Sequence, residues 1–392
     1  MSVHALVLSG GGARCAYQAG VLRYIYTELA PELGADVAPR ILCGTSGGAL
    51  NGSWVAGYGS APGAAVKLSK LWQDMQVEQV FTMTALDLLR TPRLLTRGGA
   101  KPTSSLLDAS PLHTLVRGLF PAAAIRERVD AGLLRALVTP ATEVATGRNV
   151  LFHQHHPDHP LGEFPYPIID VRPVELGPEH VLASAAIPFL FPPIAIEGRL
   201  FLDGGLRLTT PLSPALRLGA DKVMVIGVKR PFEMRSADAL AEADVPAPSL
   251  AFLAGKALNA LTLDPLDREL RAMDRLNGLF AWGQQTYGAD FLDRMNEIVV
   301  PHRGAPYRPV DAMVIRPRED LGKVAAHSFR SRPPDASRAT RFFLRMIAED
   351  EKEDEADALS YLLFDRGYTG EVERLGYEDA RDQCEALAAW FG

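Results

Sequence analysis

Ser46 is the residue best placed to do chemistry, because it is the centre of the pentapeptide Gly44-Thr45-Ser46-Gly47-Gly48. A short apolar run, 41–43, precedes it, and a stretch with helix-forming residues, 49–56, follows. A strand that ends in Gly-x-Ser-x-Gly and turns straight into a helix is the nucleophile-elbow pattern, in which small residues let the backbone fold sharply around an accessible hydroxyl. The pattern predicts a nucleophilic serine, although these residue types also occur together in ordinary turns.

A serine nucleophile needs hydrogen-bond donors that stabilise the oxyanion formed on the attacked carbonyl. The turn Gly10-Gly11-Gly12, just before a predicted helix, can supply backbone N–H groups and the partial positive charge of a helix N-terminus. Arg14 lies beside this turn, where its cation would strengthen that potential or hold a neighbouring loop. No Gly-Lys-Ser/Thr follows, and Cys15 stands at the third glycine position of a dinucleotide fingerprint, so nucleotide binding is the weaker interpretation.

The serine also needs a base, and Asp203 is the candidate. It ends the apolar run 200–202 and is followed by Gly204 and Gly205, which keep the turn open around the carboxylate. An aspartate in a plain strand-end turn is the alternative interpretation.

Histidine would be the usual base for a serine. Four of the nine histidines cluster in a polar stretch that predicts an exposed loop: His153, His155, His156 and His159. His180 is the one histidine retained as a possible third catalytic member.

Composition limits the classes of protein to which the chain can belong. Its 392 residues are 47% apolar and 22% charged, with a formal net charge of -6, so no overall positive field favours a nucleic-acid partner. The three cysteines form no metal-binding or disulfide pattern, which predicts a reducing, cytoplasmic location. Residues 3–8 have the character of a first strand rather than a signal peptide, and no segment is predicted to span a bilayer.

Strand and helix patterns alternate along the chain. Short apolar runs predict buried strands at 3–8, 41–43, 134–139, 149–153, 200–203, 222–228 and 312–316. Helical spacing is found at 16–29, 66–75, 86–89 and 250–279, with a loop at 91–105 and a surface excursion at 231–248. This alternation predicts a three-layer α/β/α fold with a mostly parallel central sheet. A composition shift near 328–338 divides the chain into a main domain, 1–327, and a C-terminal helical extension, 328–392.

The three chemical stretches together resemble the signature of the patatin-like phospholipases: a Gly-Gly-Gly-x-Arg/Lys-Gly turn, a Gly-x-Ser-x-Gly elbow and a distant Asp-Gly-Gly. The corresponding residues here are 10–14, 44–48 and 203–205, and the segment 183–193 and Pro211 also fit. Cys15 replaces a glycine of the signature, and Thr209 and Thr210 stand where many relatives have asparagine. The resemblance covers about residues 3–230.

This resemblance implies a patatin-like fold and a dyad without a catalytic histidine. Ser46 would attack an ester carbonyl of a glycerophospholipid or related lipid, and Asp203 would take its proton. The N–H groups of Gly11 and Gly12, in the turn that begins at Gly10, would form the oxyanion hole with Arg14 at its edge. No metal or organic cofactor is implied. Two alternatives stay open: a catalytically silent scaffold of the same fold that binds lipid or a partner, and an α/β-hydrolase esterase with a Ser-His-Asp triad.

The C-terminal extension contains a basic amphipathic stretch. Arg338, Arg341 and Arg345 share one helical face, beside Phe342 and Met346. Such a helix can pack on the main domain, which is the favoured interpretation, or lie peripherally on a membrane surface. The acidic stretch 349–357 is expected to be a solvated face. Nothing in these patterns indicates an oligomeric state.

Overall fold

The computed structural model describes residues 2–34, 36–83, 105–230, 266–350 and 357–392. The expected helix at 86–89, almost all of the loop at 91–105, the excursion at 231–248 and most of the acidic stretch at 349–357 lie outside the described residues. The strands are β1 (His4–Leu8), β2 (Ile41–Gly44), β3 (Ala136–Glu143), β4 (Asn149–His155), β5 (Ile169–Pro173), β6 (Ile194–Ile196), β7 (Arg199–Asp203), β8 (Lys222–Ile226) and β9 (Asp311–Ile315).

Helices surround these strands. Before β7 they are α1 (Ala16–Tyr24), which continues as a π-helical turn (Ile25–Leu29), α2 (Ala30–Leu33), α3 (Gly47–Tyr58), α4 (Pro62–Gln73), α5 (Ser110–Leu119), α6 (Ala122–Asp130) and α7 (Pro178–Ser184). After β7 they are α8 (Leu212–Arg217), α9 (Leu266–Tyr287), α10 (Phe291–Arg303), α11 (Leu321–Ser331), α12 (Arg338–Asp350), α13 (Asp357–Leu362), α14 (Arg366–Arg381) and α15 (Cys384–Phe391). Within the described residues, no helix combines the length and the apolar character needed to cross a membrane.

The described strands form one mostly parallel sheet. Its order is β5-β4-β3-β2-β1-β8-β9, and β7 pairs with β3 and with β6. Neighbours along the main path run parallel except β3 and β4, while both pairings of β7 are antiparallel. Leu8 of β1 lies in register with Gly44 of β2 and Ile226 of β8, so these three strands end together at one edge of the sheet.

The sheet is covered on both faces. In β1, Leu6 and Leu8 belong to one core cluster and Ala5 and Val7 to the other, as expected from alternating side chains in a strand. The predicted three-layer α/β/α arrangement is therefore confirmed. The predicted strands are also present, with bounds shifted by a few residues.

One prediction about the histidines is wrong. His153 and His155 belong to β4, and His153 is buried rather than exposed on a loop. Burial and the neighbouring His155 lower the pKa of His153 to about 4, so its ring is neutral near pH 7. A neutral ring is far less costly to bury than a charged one.

The C-terminal helices pack against the main domain. Helix α14 crosses α1 so closely that a Cβ added to Gly20 would lie 1.9 Å from the Glu373 carbonyl oxygen. Buried polar contacts reinforce this packing, including the Tyr17 hydroxyl that donates to Asp379 at 2.9 Å. Helix α12 buries Leu344 in the same core. These contacts agree with the interpretation that the extension packs on the main domain. The predicted domain boundary between residues 327 and 328 falls within α11 and stays a prediction.

The close packing of α1 against α14 should require glycine at position 20. We expect Gly20→Ala to lower the free energy of unfolding by about 3 kcal/mol or more, because the new methyl group meets backbone that cannot move aside. Gly63→Ala in α4 is the matched control, since a Cβ there meets nothing within 4 Å and alanine favours helix. Urea denaturation of both variants measures the difference, and equal midpoints would contradict this account of the crossing.

Candidate active site

Ser46 lies at the sharp turn between β2 and α3, at the edge where β1, β2 and β8 end. Its backbone has φ 56° and ψ -125°, a region that residues with side chains rarely adopt. Such strain costs about 1–3 kcal/mol and tends to occur at functional sites. The flanking glycines allow the turn: a Cβ on Gly44 would lie 2.3 Å from the Gly48 carbonyl oxygen, and one on Gly48 would lie 2.6 Å from the Leu8 carbonyl oxygen.

Asp203 ends β7 and lines the same cavity as Ser46. The two residues are 5% and 7% exposed, respectively. Burial raises the pKa of Asp203 to about 7, although the Gly205 N–H and the neighbouring Ser46 hydroxyl partly oppose the shift. The Gly205 N–H donates to Oδ1 of Asp203 at 2.7 Å. A carboxyl with a pKa near neutrality is suited to accept and return a proton.

The Gly10-Gly11-Gly12 turn lines the same cavity. The Gly10 N–H donates to the Thr209 carbonyl at 2.9 Å, so Gly10 is not a free donor, contrary to the prediction for the whole turn. In the described part of the chain, the N–H groups of Gly11 and Gly12 donate to no hydrogen-bond acceptor. These two groups are the ones available to an oxyanion. Gly12 has φ 55°, and a Cβ there would lie 2.3 Å from the Tyr361 carbonyl oxygen.

Arg14 contacts the C-terminal extension. Its guanidinium pairs with Asp357 at 2.6 Å, donates to the Ser360 hydroxyl at 2.7 Å and lies 4.4 Å from the centre of the Tyr361 ring. Despite burial, interactions with Tyr361 and Asp357 raise the Arg14 pKa, so the side chain stays charged. Of the two roles predicted for Arg14, these contacts favour holding a neighbouring segment, here α13, against the glycine turn.

Ser184 at the end of α7 and Ala186 just after it hold the backbone of Ser46 and Asp203, and sequence reasoning assigned neither of them a role. The Ser184 hydroxyl accepts the Ser46 N–H at 3.0 Å, and the Ala186 carbonyl accepts the Asp203 N–H at 2.9 Å. Both lie in the segment 183–193, whose resemblance to the family was the available signal. These two hydrogen bonds therefore tie the backbones of Ser46 and Asp203 to the same short segment.

His180 is not brought to Ser46. Its Nδ1 accepts the Gly177 N–H at 2.9 Å, and its ring packs edge-on against Phe152.

The cavity around Ser46 has a volume of about 40 Å³, room for a few water molecules. Its lining consists of Gly10, Gly11, Gly12, Ser46, Ile187, Pro188, Leu190, Asp203, Gly205, Leu206, Thr209 and Tyr361.

The strained serine elbow, the buried carboxylate and the glycine turn therefore line one cavity of an α/β/α fold. The family model of the patatin-like phospholipases matches residues 6–216, more than half of the chain. The chain belongs to the patatin-like phospholipase family.

Individual relatives match over different shares of the chain. A cGAMP-activated phospholipase of Pseudomonas aeruginosa (strain BWHPSA011 / Pa011) is 31% identical over 206 residues, which are 52% of this chain and 52% of that protein. The chain thus spans about half the length of that curated relative. Among solved structures, VipD from Legionella pneumophila is 12% identical, with 94% of this chain and 91% of that chain covered and a TM-score of 0.33. Human GIVD cytosolic phospholipase A2, in complex with methyl gamma-linolenyl fluorophosphonate, is 13% identical, with 99% and 59% covered and a TM-score of 0.40.

Proposed function

We propose that the protein is a serine lipid acyl hydrolase that cleaves carboxylic esters of glycerophospholipids or related lipids with a Ser46–Asp203 dyad. The observation that carries the proposal is that Ser46, Asp203, Gly11 and Gly12 line one cavity, and that the N–H groups of the two glycines are unpaired in the described part of the chain. Membership of a phospholipase family supports lipid as the substrate class.

The proposed reaction has two halves. Asp203 takes the hydroxyl proton as Ser46 Oγ attacks the ester carbonyl, and the N–H groups of Gly11 and Gly12 stabilise the negative oxygen. The tetrahedral intermediate collapses, the alcohol leaves with the proton from Asp203, and an acyl-serine remains. Asp203 then takes a proton from water as the water oxygen attacks the acyl group. The second intermediate collapses to a carboxylic acid, and Asp203 returns the proton to the departing Ser46 Oγ.

The alternatives have less support. A Ser-His-Asp triad would need a histidine beside Ser46, yet His180 contacts Gly177 and Phe152 instead. A catalytically silent scaffold would have no need of the strained conformation of Ser46, and such strain clusters at functional sites.

Access to the site is the second part of the proposal. The cavity is partly open to solvent, and its volume of about 40 Å³ is too small for a whole lipid ester, so we propose that its wall moves to enlarge it when substrate binds. Since one relative is named a cGAMP-activated phospholipase, we include activation by cGAMP as a candidate trigger for this opening. In this proposal the small cavity is a resting state.

Labelling with a long-chain alkyl fluorophosphonate tests both parts. We expect covalent labelling of one residue, mapped to Ser46 by mass spectrometry of peptides, together with release of fatty acid from phospholipid vesicles. Added cGAMP should increase the labelling rate if it opens the site. A folded protein that never labels at Ser46, with or without cGAMP, favours the scaffold; equal rates in both conditions would contradict only the trigger.

A further inference from the structure

Phe189 is an apolar side chain presented to solvent at the rim of the candidate active site. It is 75% exposed, more than any other large apolar side chain in the described residues. Its neighbours on both sides, Pro188 and Leu190, line the cavity that contains Ser46 and Asp203. The ring therefore lies next to the path by which a lipid ester would reach the nucleophile.

The backbone of Phe189 is in a strained conformation. Phe189 has φ 67°, a conformation that is unusual for a bulky residue and persists only when its surroundings enforce it. The Leu106 N–H donates to the Phe189 carbonyl at 2.9 Å, and the Leu107 N–H donates to the Leu190 carbonyl at 3.1 Å. Phe191, two residues on, is buried and packs against Phe81. Phe189 thus combines a strained backbone with an exposed ring between a cavity-lining residue and a buried phenylalanine, and strained residues cluster at ligand-binding sites, which points to a use for the ring.

Resting on the proposed function, we infer that Phe189 inserts into the surface of a phospholipid bilayer and brings the cavity mouth to the lipid. An aromatic ring transferred from water into the acyl region gains the free energy of burying its apolar area. The occupant is a lipid surface rather than a protein, because the segment that presents the ring also forms the wall of the cavity where a lipid ester would react. The ring contributes to the approach of the substrate and takes no part in the chemistry.

Vesicles and a soluble ester separate this role from catalysis. We expect Phe189→Ala to reduce binding to phosphatidylcholine vesicles, and hydrolysis of their lipid, by about 10- to 100-fold. Cleavage of a water-soluble short-chain nitrophenyl ester should stay within about twofold of the wild type. Alanine keeps the Cβ and hence the same backbone preference, and Phe189→Trp should retain binding because indole suits the membrane interface.

Ile298→Ala is the matched control, since Ile298 is 70% exposed on α10. It should leave vesicle binding and both activities unchanged. The inference is overturned if Phe189→Ala sediments with vesicles as the wild type does, or if it loses soluble-ester cleavage to the same extent as lipid hydrolysis. A wild type that cleaves neither substrate would count against the proposed function, and the sedimentation result would still decide the role of Phe189.

Discussion

Ser46→Ala is expected to reduce ester hydrolysis by at least about 10⁴-fold, because alanine has no oxygen with which to form the acyl intermediate. The Ser46 hydroxyl is the nucleophile of the proposed reaction, and the Gly11 and Gly12 N–H groups alone leave only weak residual catalysis. Alanine keeps the Cβ and so does not change the strain at φ 56°. Release of a chromophore from an acyl ester measures the loss, and circular dichroism checks the fold.

Ser53→Ala is the control for the loss of a buried serine hydroxyl. Ser53 lies on α3, the helix that begins directly after Ser46, and its hydroxyl donates to the Ala49 carbonyl at 2.8 Å within that helix. It lies outside the lining of the cavity. We expect this variant to keep nearly full activity. Undiminished turnover by Ser46→Ala, or an equal loss in both variants, would exclude Ser46 as the nucleophile.

The parts of the site that sequence predicted are those in which local chemistry restricts the residue type. Gly44 and Gly48 are required by a turn that brings their backbones within reach of each other, so the glycines themselves mark the elbow. Alternating apolar strands and helices likewise predicted the three-layer fold, because a buried parallel strand must be almost wholly apolar. Asp203 was identified because its strand and its glycines form a comparable local pattern.

The remaining features depend on contacts between distant segments. Arg14 and Asp357 are 343 positions apart, and nothing near either residue specifies the other. The link from Ser184 to Ser46 spans 138 positions and depends on the angle at which α7 reaches the elbow. His153 was misassigned because a polar composition suggested a loop, whereas pairing of β4 with β3 and β5 buries its ring. Tertiary packing decides such cases, not local propensity.

Asp203→Asn should lower the hydrolysis rate by about 10³-fold or more, because an amide cannot accept the Ser46 proton. The amide oxygen can still accept the Gly205 N–H that Asp203 accepts at 2.7 Å, so the turn after β7 should be preserved. In the wild type, the rate should fall about tenfold for each pH unit below the Asp203 pKa of about 7, as the base becomes protonated. The residual activity of the variant should lack this dependence, and a pH series of initial rates measures both.

Asp203→Asn, which should lower activity, should raise the stability of the folded protein. Burial raises the Asp203 pKa from 3.8 to about 7, so between these values the folded protein holds a proton that the unfolded chain releases. Its free energy of unfolding therefore falls as pH rises through this window, and above pH 7 the buried charge destabilises the fold. We expect Asp203→Asn to be more stable than the wild type at pH 8, by more than about 1 kcal/mol, with the difference shrinking towards pH 4. Thermal unfolding at the two pH values tests this. A variant that loses both activity and stability at pH 8 would indicate that Asp203 supports the fold, whereas lost activity with gained stability is the behaviour of a buried general base.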